Sequence, residues 1–188
     1  MKKTFVISEI GINHGGSLKK AKKLIDSSAR AGVDAVKFQT YITEKRVKRK
    51  SPIYEILKKC ELSFKDFEIL NEYSKKKKIE FMSTPFDFES FQFLHELKVS
   101  KIKIASFDTV NLSFLEKILN FNKEFIMSVG MSNLQEIKKA YNIIKKNKKN
   151  KISLLHCISS YPTKEKDANL NCIKTLKENF ECTIGQSD

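Results

Sequence analysis

Val6-Ile7-Ser8-Glu9-Ile10-Gly11-Ile12-Asn13-His14-Gly15-Gly16-Ser17 is the stretch whose reading decides the fold. Thr4 to Ser8 are mostly apolar and β-branched or aromatic, which predicts a short buried strand. Glu9 follows it directly, and Gly11, Gly15 and Gly16 free the backbone for a sharp turn. Ser17 is placed to cap a helix, because its hydroxyl accepts from the free N–H groups of the first turn. Leu18, Ala21, Leu24, Ile25 and Ala29 then recur at helical spacing, and Gly32 suits the helix end. One strand thus delivers Glu9, Asn13 and His14 to the top of a strand–loop–helix unit.

The same unit recurs along the chain. Further strands are predicted over Asp34–Gln39, Ile79–Met82, Lys101–Ala105, Glu124–Met127, Ile152–Leu155 and Cys182–Gly185. A polar, basic stretch from Tyr41 to Pro52 and a short helix near Ile53–Cys60 follow the second strand. Ser63 caps a helix with Phe64, Phe67, Leu70 and Tyr73 on its apolar stripe. Further helices are predicted near 89–97, 112–119, 134–146 and 171–179. Strict alternation of strand and helix implies parallel strands with right-handed crossovers, in an open doubly wound sheet or a barrel. Nearly every strand has Ser, Thr, Lys, Glu or His at its C-terminal end. That fits a barrel whose strands ring one site better than an open sheet with one switch point. No linker rich in Pro, Gly or Ser divides the chain, so the expectation is a single α/β domain: a (β/α)8 TIM barrel ending after about its seventh strand.

The chain of 188 residues, 40% hydrophobic, can bury a core. It is shorter than the roughly 250 residues of a complete barrel. A formal charge of +14 invites a nucleic-acid reading. Among the 36 basic residues, however, only Arg30, Arg46 and Arg49 are arginine. Lys, Asn and Ile share AT-rich codons, so base bias explains the excess, and no aromatic–basic interleaving accompanies it. The runs Lys75–Lys78 and Lys145–Lys151 fall where helices end, facing a favourable dipole. No apolar run approaches a membrane span. Met1-Lys2-Lys3 leads straight into a strand without the apolar core of a secretory leader. Cys60, Cys157, Cys172 and Cys182 have no CxxC spacing and read as free thiols in a reducing cytoplasm. A cytoplasmic protein without nucleic-acid or membrane partners is expected.

The predicted strand ends gather Lys37 and Lys103 with the hydroxyls of Ser83, Thr84, Ser106, Ser128, Ser159 and Ser187. Lysine with hydroxyls is what a phosphate or carboxylate site needs. Lys103 alternates with Ile102 and Ile104 and so points to the opposite face, inside the barrel. A lone lysine there also reads as a snorkelling surface side chain. Glu9, Gln39, Asp108 and Tyr161 add acid–base and hydroxyl-binding groups. His14 alone reads as a loop histidine, and mid-helix His95 as a surface residue.

Glu9 to Ser17 resembles the opening motif of bacterial sialic acid synthases. Val36-Lys37-Phe38-Gln39-Thr40, Phe81 to Asp87, Lys103 to Ser106, Ser128 to Met131, Leu155-His156-Cys157 with Tyr161-Pro162-Thr163, and Gly185 to Asp188 resemble its later motifs in order. The resemblance implies a TIM barrel condensing phosphoenolpyruvate with an N-acetylated mannosamine-type sugar and releasing phosphate. By the same resemblance Lys37, Thr84, Lys103, Ser106, Ser128, Ser159 and Ser187 bind phosphoenolpyruvate. Glu9, Gln39 and Tyr161 face the sugar, and Glu9, Lys37 and Asp108 stand at the chemistry. The enzyme is expected to be a homodimer with a divalent metal, manganese or magnesium, that activates the sugar aldehyde.

Several positions depart from the family pattern. Some members carry Asn at Ser159, many have Glu at Asp108, and Phe107 replaces a frequent Gly. The segment from Tyr41 to Ile53 is shorter than in many relatives. Two histidine metal ligands, the second of them on the eighth strand, and a C-terminal antifreeze-like domain are expected beyond Asp188. This chain therefore reads as a fragment or truncated product, without synthase activity by itself, and the metal has no expected ligand within it. Rival readings are a catalytically inactive remnant and another phosphoenolpyruvate-dependent sugar acid synthase. His156 stands where the pseudaminic branch usually has lysine, which favours N-acetylmannosamine or the diacetamido sugar leading to legionaminic acid.

Overall fold

The computed structural model describes residues 3–188; Met1 and Lys2, the start of the stretch read as lacking a leader, lie outside the described residues. The chain divides into two compact units, the first ending at Val99 and the second spanning Ser100–Asp188.

In the first unit, β1 (Ile7–Gly11), β2 (Ala35–Thr40) and β3 (Glu80–Pro85) pair in parallel in that order. They alternate with α1 (Leu18–Arg30), the short α2 (Thr43–Arg46) and α3 (Tyr54–Cys60), α4 (Phe64–Lys76) and α5 (Phe88–Glu96). Ser17 caps α1 as expected, accepting from Lys20 N. Ser63 and Asp66 form a reciprocal capping box at α4. The core lies between strands and helices, with Phe38 of β2 stacked on Phe81 and edge-on to Phe67.

In the second unit β4 (Lys101–Ile104), β5 (Glu124–Ser128), β6 (Lys151–Cys157) and β7 (Thr183–Ser187) are again parallel and in sequence order. Between them lie α6 (Leu112–Ile118), α7 (Leu134–Lys145) and α8 (Asn171–Asn179), with 3-10 turns at Ser106–Val110, Leu119–Phe121 and Glu165–Asp167. Ile102, Ile104, Leu115, Ile118, Phe125 and Leu154 form the centre of its core.

The first strand starts later than Thr4–Ser8. Val6 N donates to the Asp34 carboxylate at 2.8 Å rather than to a ladder partner, and Phe5 and Val6 are half exposed. Pairing begins at Ile7, so Glu9 lies within β1, opposite Lys37, instead of after it. The third, fifth, sixth and seventh strands likewise run on into residues read as loop, so that Ser83, Thr84, Ser128, Cys157 and Ser187 end strands. The polar stretch 41–52 contains α2, which its lysines and arginines disguised. All four cysteines are free thiols. No helix among the described residues is long and apolar enough to cross a membrane.

Candidate functional site

In the first unit the C-terminal ends of β1, β2 and β3 bring together Glu9, Lys37, Gln39 and Thr84. The register sets Glu9 beside Lys37 and Gln39 beside Thr84. Glu9 and Lys37 form an ion pair, with the lysine side chain 12% and the carboxylate side chain 43% exposed. Gly11, at φ +55° beyond a bulge in β1, explains how Glu9 turns toward Gln39. A Cβ there would lie 3.0 Å from Glu9 Oε1 and 3.5 Å from Gln39 Nε2. A side chain there would be strained by this left-handed backbone and would press on the Glu9 carboxylate. Thr84 is buried. Its neighbour Ser83 hydrogen-bonds Thr40 across the strands at 2.7 Å.

His14 is a loop histidine, in the turn between β1 and α1, but a buried one. It is 1% exposed and packs against the Phe38 ring at 6.0 Å. Its Nδ1 accepts from Gly16 N at 3.1 Å, and burial lowers its pKa, so it serves as a neutral anchor of the β1–α1 turn. His95, expected on the surface, is partly buried.

In the second unit Lys103 is 5% exposed, inside the sheet face opposite Ile102 and Ile104 as expected. Its Nζ donates to Ser128 Oγ at 2.6 Å and Ile104 O at 3.0 Å. Burial pulls its pKa down to about 8, against the raising influence of nearby Cys157 and Asp108. Asp108 is itself buried, and Asn111 Nδ2 donates to it at 3.3 Å. Thr109 Oγ1 holds Ser128 O at 2.8 Å, tying the 3-10 turn to the end of β5.

Ser106 and Ser159 meet around Gly130, where a Cβ would stand 3.2 Å from each hydroxyl and 2.7 Å from Cys157 O. Ser187 lies opposite Cys157 in the β6–β7 register. Tyr161 is 74% exposed, its hydroxyl 4.0 Å from Cys157 Sγ. A cavity of about 150 Å³ opens at these ends, lined by His156, Cys157, Thr163, Glu165, Gln186 and Ser187 among others. His156 Nε2 meets Ala168 O at 2.8 Å and anchors the segment that follows Tyr161.

The second unit thus assembles Lys103, Ser106, Asp108, Ser128, Ser159, Tyr161 and Ser187 around Gly130 and Cys157. Neither of those two stood among the candidate residues. Gly130 was legible as a glycine two residues after a strand; Cys157 was hidden by its reading as a bland thiol. A buried cation flanked by hydroxyls is an arrangement that holds an anion by charge-assisted hydrogen bonds. Among the described residues no group of three or more His, Cys, Asp or Glu side chains stands close enough to hold a metal ion. The donor set of these residues therefore does not fit the divalent metal implied by the resemblance.

A family model described as the NeuB family matches residues 24–188. An N,N'-diacetyllegionaminic acid synthase of Campylobacter jejuni is 41% identical, the match covering 100% of this chain and 61% of that protein. A pseudaminic acid synthase of the same species is 32% identical, with 100% of this chain and 59% of that protein covered. The crystal structure of an N-acetylneuraminic acid synthetase from Leptospira borgpetersenii, in complex with citrate, superposes with a TM-score of 0.96 at 42% identity. It covers 100% of this chain and 65% of that one. The chain thus spans about three fifths of the length of these relatives. The superposition bears out the barrel class, of which this chain supplies seven parallel strands.

Proposed function

Since the chain belongs to the NeuB family, we propose that the complete enzyme condenses phosphoenolpyruvate with an N-acetylated amino sugar, giving a sialic-acid-type nonulosonate and phosphate. The observation that carries this reading is the buried Lys103 held on Ser128 Oγ, with Ser106 and Ser159 converging around Gly130.

In this reading the second unit binds phosphoenolpyruvate. Lys103, protonated below about pH 8, offsets the charge of the phosphate or carboxylate, and Ser106, Ser128, Ser159 and Ser187 donate to its oxygens. At the strand ends of the first unit, Lys37 and Thr84 carry a cation and a hydroxyl. Glu9 and Gln39 offer the sugar an acceptor and a donor, and Tyr161 an exposed phenol. The enol carbon of phosphoenolpyruvate bonds to the sugar aldehyde carbon, and the aldehyde oxygen takes up a proton. Water adds to the resulting cationic carbon and loses a proton, and the C–O bond to phosphate breaks. Glu9 and Asp108 are the carboxylates available for these proton movements. Because the residues described here do not fit a metal ion, no step is assigned to one.

The acetamido sugar is N-acetylmannosamine or the diacetamido sugar on the legionaminic route. His156, and 41% identity to the legionaminic acid synthase against 32% to the pseudaminic acid synthase, support that order. The test is to supply the full-length protein with phosphoenolpyruvate and each of the three candidate sugars, with 18O in the bridging position of the phosphate ester. Sugar-dependent release of labelled phosphate is expected, since C–O cleavage leaves that oxygen on phosphorus. No release with any sugar defeats the reading, and preference for the pseudaminic precursor overturns the order.

A further inference from the structure

Arg46 lies on α2, the element that the basic segment after β2 concealed. Its guanidinium carbon stands 3.6 Å over the Phe86 ring and 4.6 Å over the Tyr41 ring. The two rings are edge-on to each other at 6.3 Å, and the Tyr41 hydroxyl is fixed on Leu57 O at 2.9 Å. Cation–π contact with both rings, which stand 74° apart, confines the guanidinium between them, as a compact ammonium would be confined less. From this position Nη1 reaches Gln39 Oε1 at 3.2 Å.

A guanidinium has donors and no acceptor, so the Gln39 group facing it has to be the carbonyl. The amide nitrogen is then the other end of the head group, and both it and Glu9 Oε1 lie beside Gly11, at 3.5 and 3.0 Å from where a Cβ on that glycine would stand. A glutamine amide carries an acceptor at one end and donors at the other, so a fixed donor on one side decides which end is left for a ligand.

We propose that Arg46 is a positioning residue that clamps the Gln39 carbonyl, so that Gln39 presents its NH2 group as a donor to a sugar oxygen while Glu9 presents the neighbouring acceptor. This rests on the proposed reaction for the identity of the sugar. The clamp itself rests on the confined guanidinium and its one-sided chemistry. The site thereby favours a ligand with an acceptor oxygen opposite Gln39 and a donor opposite Glu9, as adjacent sugar hydroxyls supply.

The test uses the full-length protein with Arg46→Leu, Arg46→Lys and Gln39→Ala. Arg46→Leu and Arg46→Lys should raise KM for the acetamido sugar about tenfold, the scale of one charge-assisted hydrogen bond. KM for phosphoenolpyruvate and the melting temperature should stay near wild type, and adding Arg46→Leu to Gln39→Ala should have little further effect. An unchanged sugar KM, or equal rises for both substrates, overturns the proposal. The side-chain amide signal of Gln39 in a 15N spectrum reads the clamp without turnover. Wild type should show a shifted, slowly exchanging pair that collapses to the ordinary glutamine position in Arg46→Leu. If the wild-type protein turns over none of the sugars, the reaction assignment has failed while the amide signal still decides the clamp. Identical Gln39 signals in the two proteins overturn it.

Discussion

Lys103 Nζ and Ser128 Oγ meet at 2.6 Å although the two residues are not level in the sheet: Lys103 is in register with Ile126. The lysine leans along its strand toward the C-terminal end of the neighbouring one, and its ammonium is delivered to the strand tops inside an almost water-free environment. This displacement makes an ordinary sheet residue into an anion-binding group.

The pH dependence follows from that burial. The folded-state pKa of Lys103 is about 8, below its ordinary 10.5. Below about pH 8 both folded and unfolded chains hold the proton, and the cost of burying the charge is present in full. Between these two values the unfolded chain binds more protons, so stability contributed by this group rises with pH. An anion that needs the charged lysine should bind progressively more weakly above about pH 8, approaching a tenfold loss per unit. Phosphoenolpyruvate affinity of the full-length protein, measured across this range, should bend at that pH. Lys103→Met should remove the bend, lower affinity chiefly below about pH 8 and stabilise the fold near neutrality. A wild-type profile without a bend would contradict the assignment.

Gly130→Ala tests the convergence of hydroxyls. The new methyl would stand 2.7 Å from a backbone carbonyl, which can yield only by moving the end of β6. Such overpacking costs about 1–3 kcal/mol. A lowered melting temperature should accompany a raised phosphoenolpyruvate KM, because Ser106 and Ser159 line the same spot. Normal kinetics in the variant would remove both serines from the site.

Asp87 is a purely structural counterpart. Its carboxylate accepts from Ser90 N at 2.8 Å as the cap of α5, from Ser90 Oγ at 2.8 Å and from Ile42 N at 3.1 Å. Asp87→Ala should destabilise by about 2 kcal/mol in urea denaturation, and Asp87→Asn by less, since its Oδ1 still caps α5 while its Nδ2 cannot accept from Ile42 N. Equal losses for the two variants would mean that charge, not capping geometry, is what counts.

The regular parts of the fold were legible because period and punctuation agreed. Leu18, Ala21, Ile25 and the Ser17 cap announce α1, and alternation around Lys103 announces its inward aim. Boundaries failed where a side chain replaced a ladder partner, as Asp34 does for Val6. They failed again where a parallel strand ends in polar residues, because Ser83, Thr84 and Ser128 look like loop while remaining in the sheet. The glutamine clamp was not legible at all. Arg46 has nothing in its local pattern to separate it from the surrounding solvated cations, and its role exists only through rings at Tyr41 and Phe86.

The sheet order also has a consequence for synthesis. Within each unit every strand pairs with the one made just before it. A chain emerging from the ribosome therefore extends each sheet at its newest edge and never has to prise apart two paired strands to insert a third. The unit ending at Val99 has its internal partners complete once that residue is released, so it can gain protection while translation of the remainder continues. Stalled nascent chains of increasing length should become protease-resistant in steps, the first once Val99 has emerged.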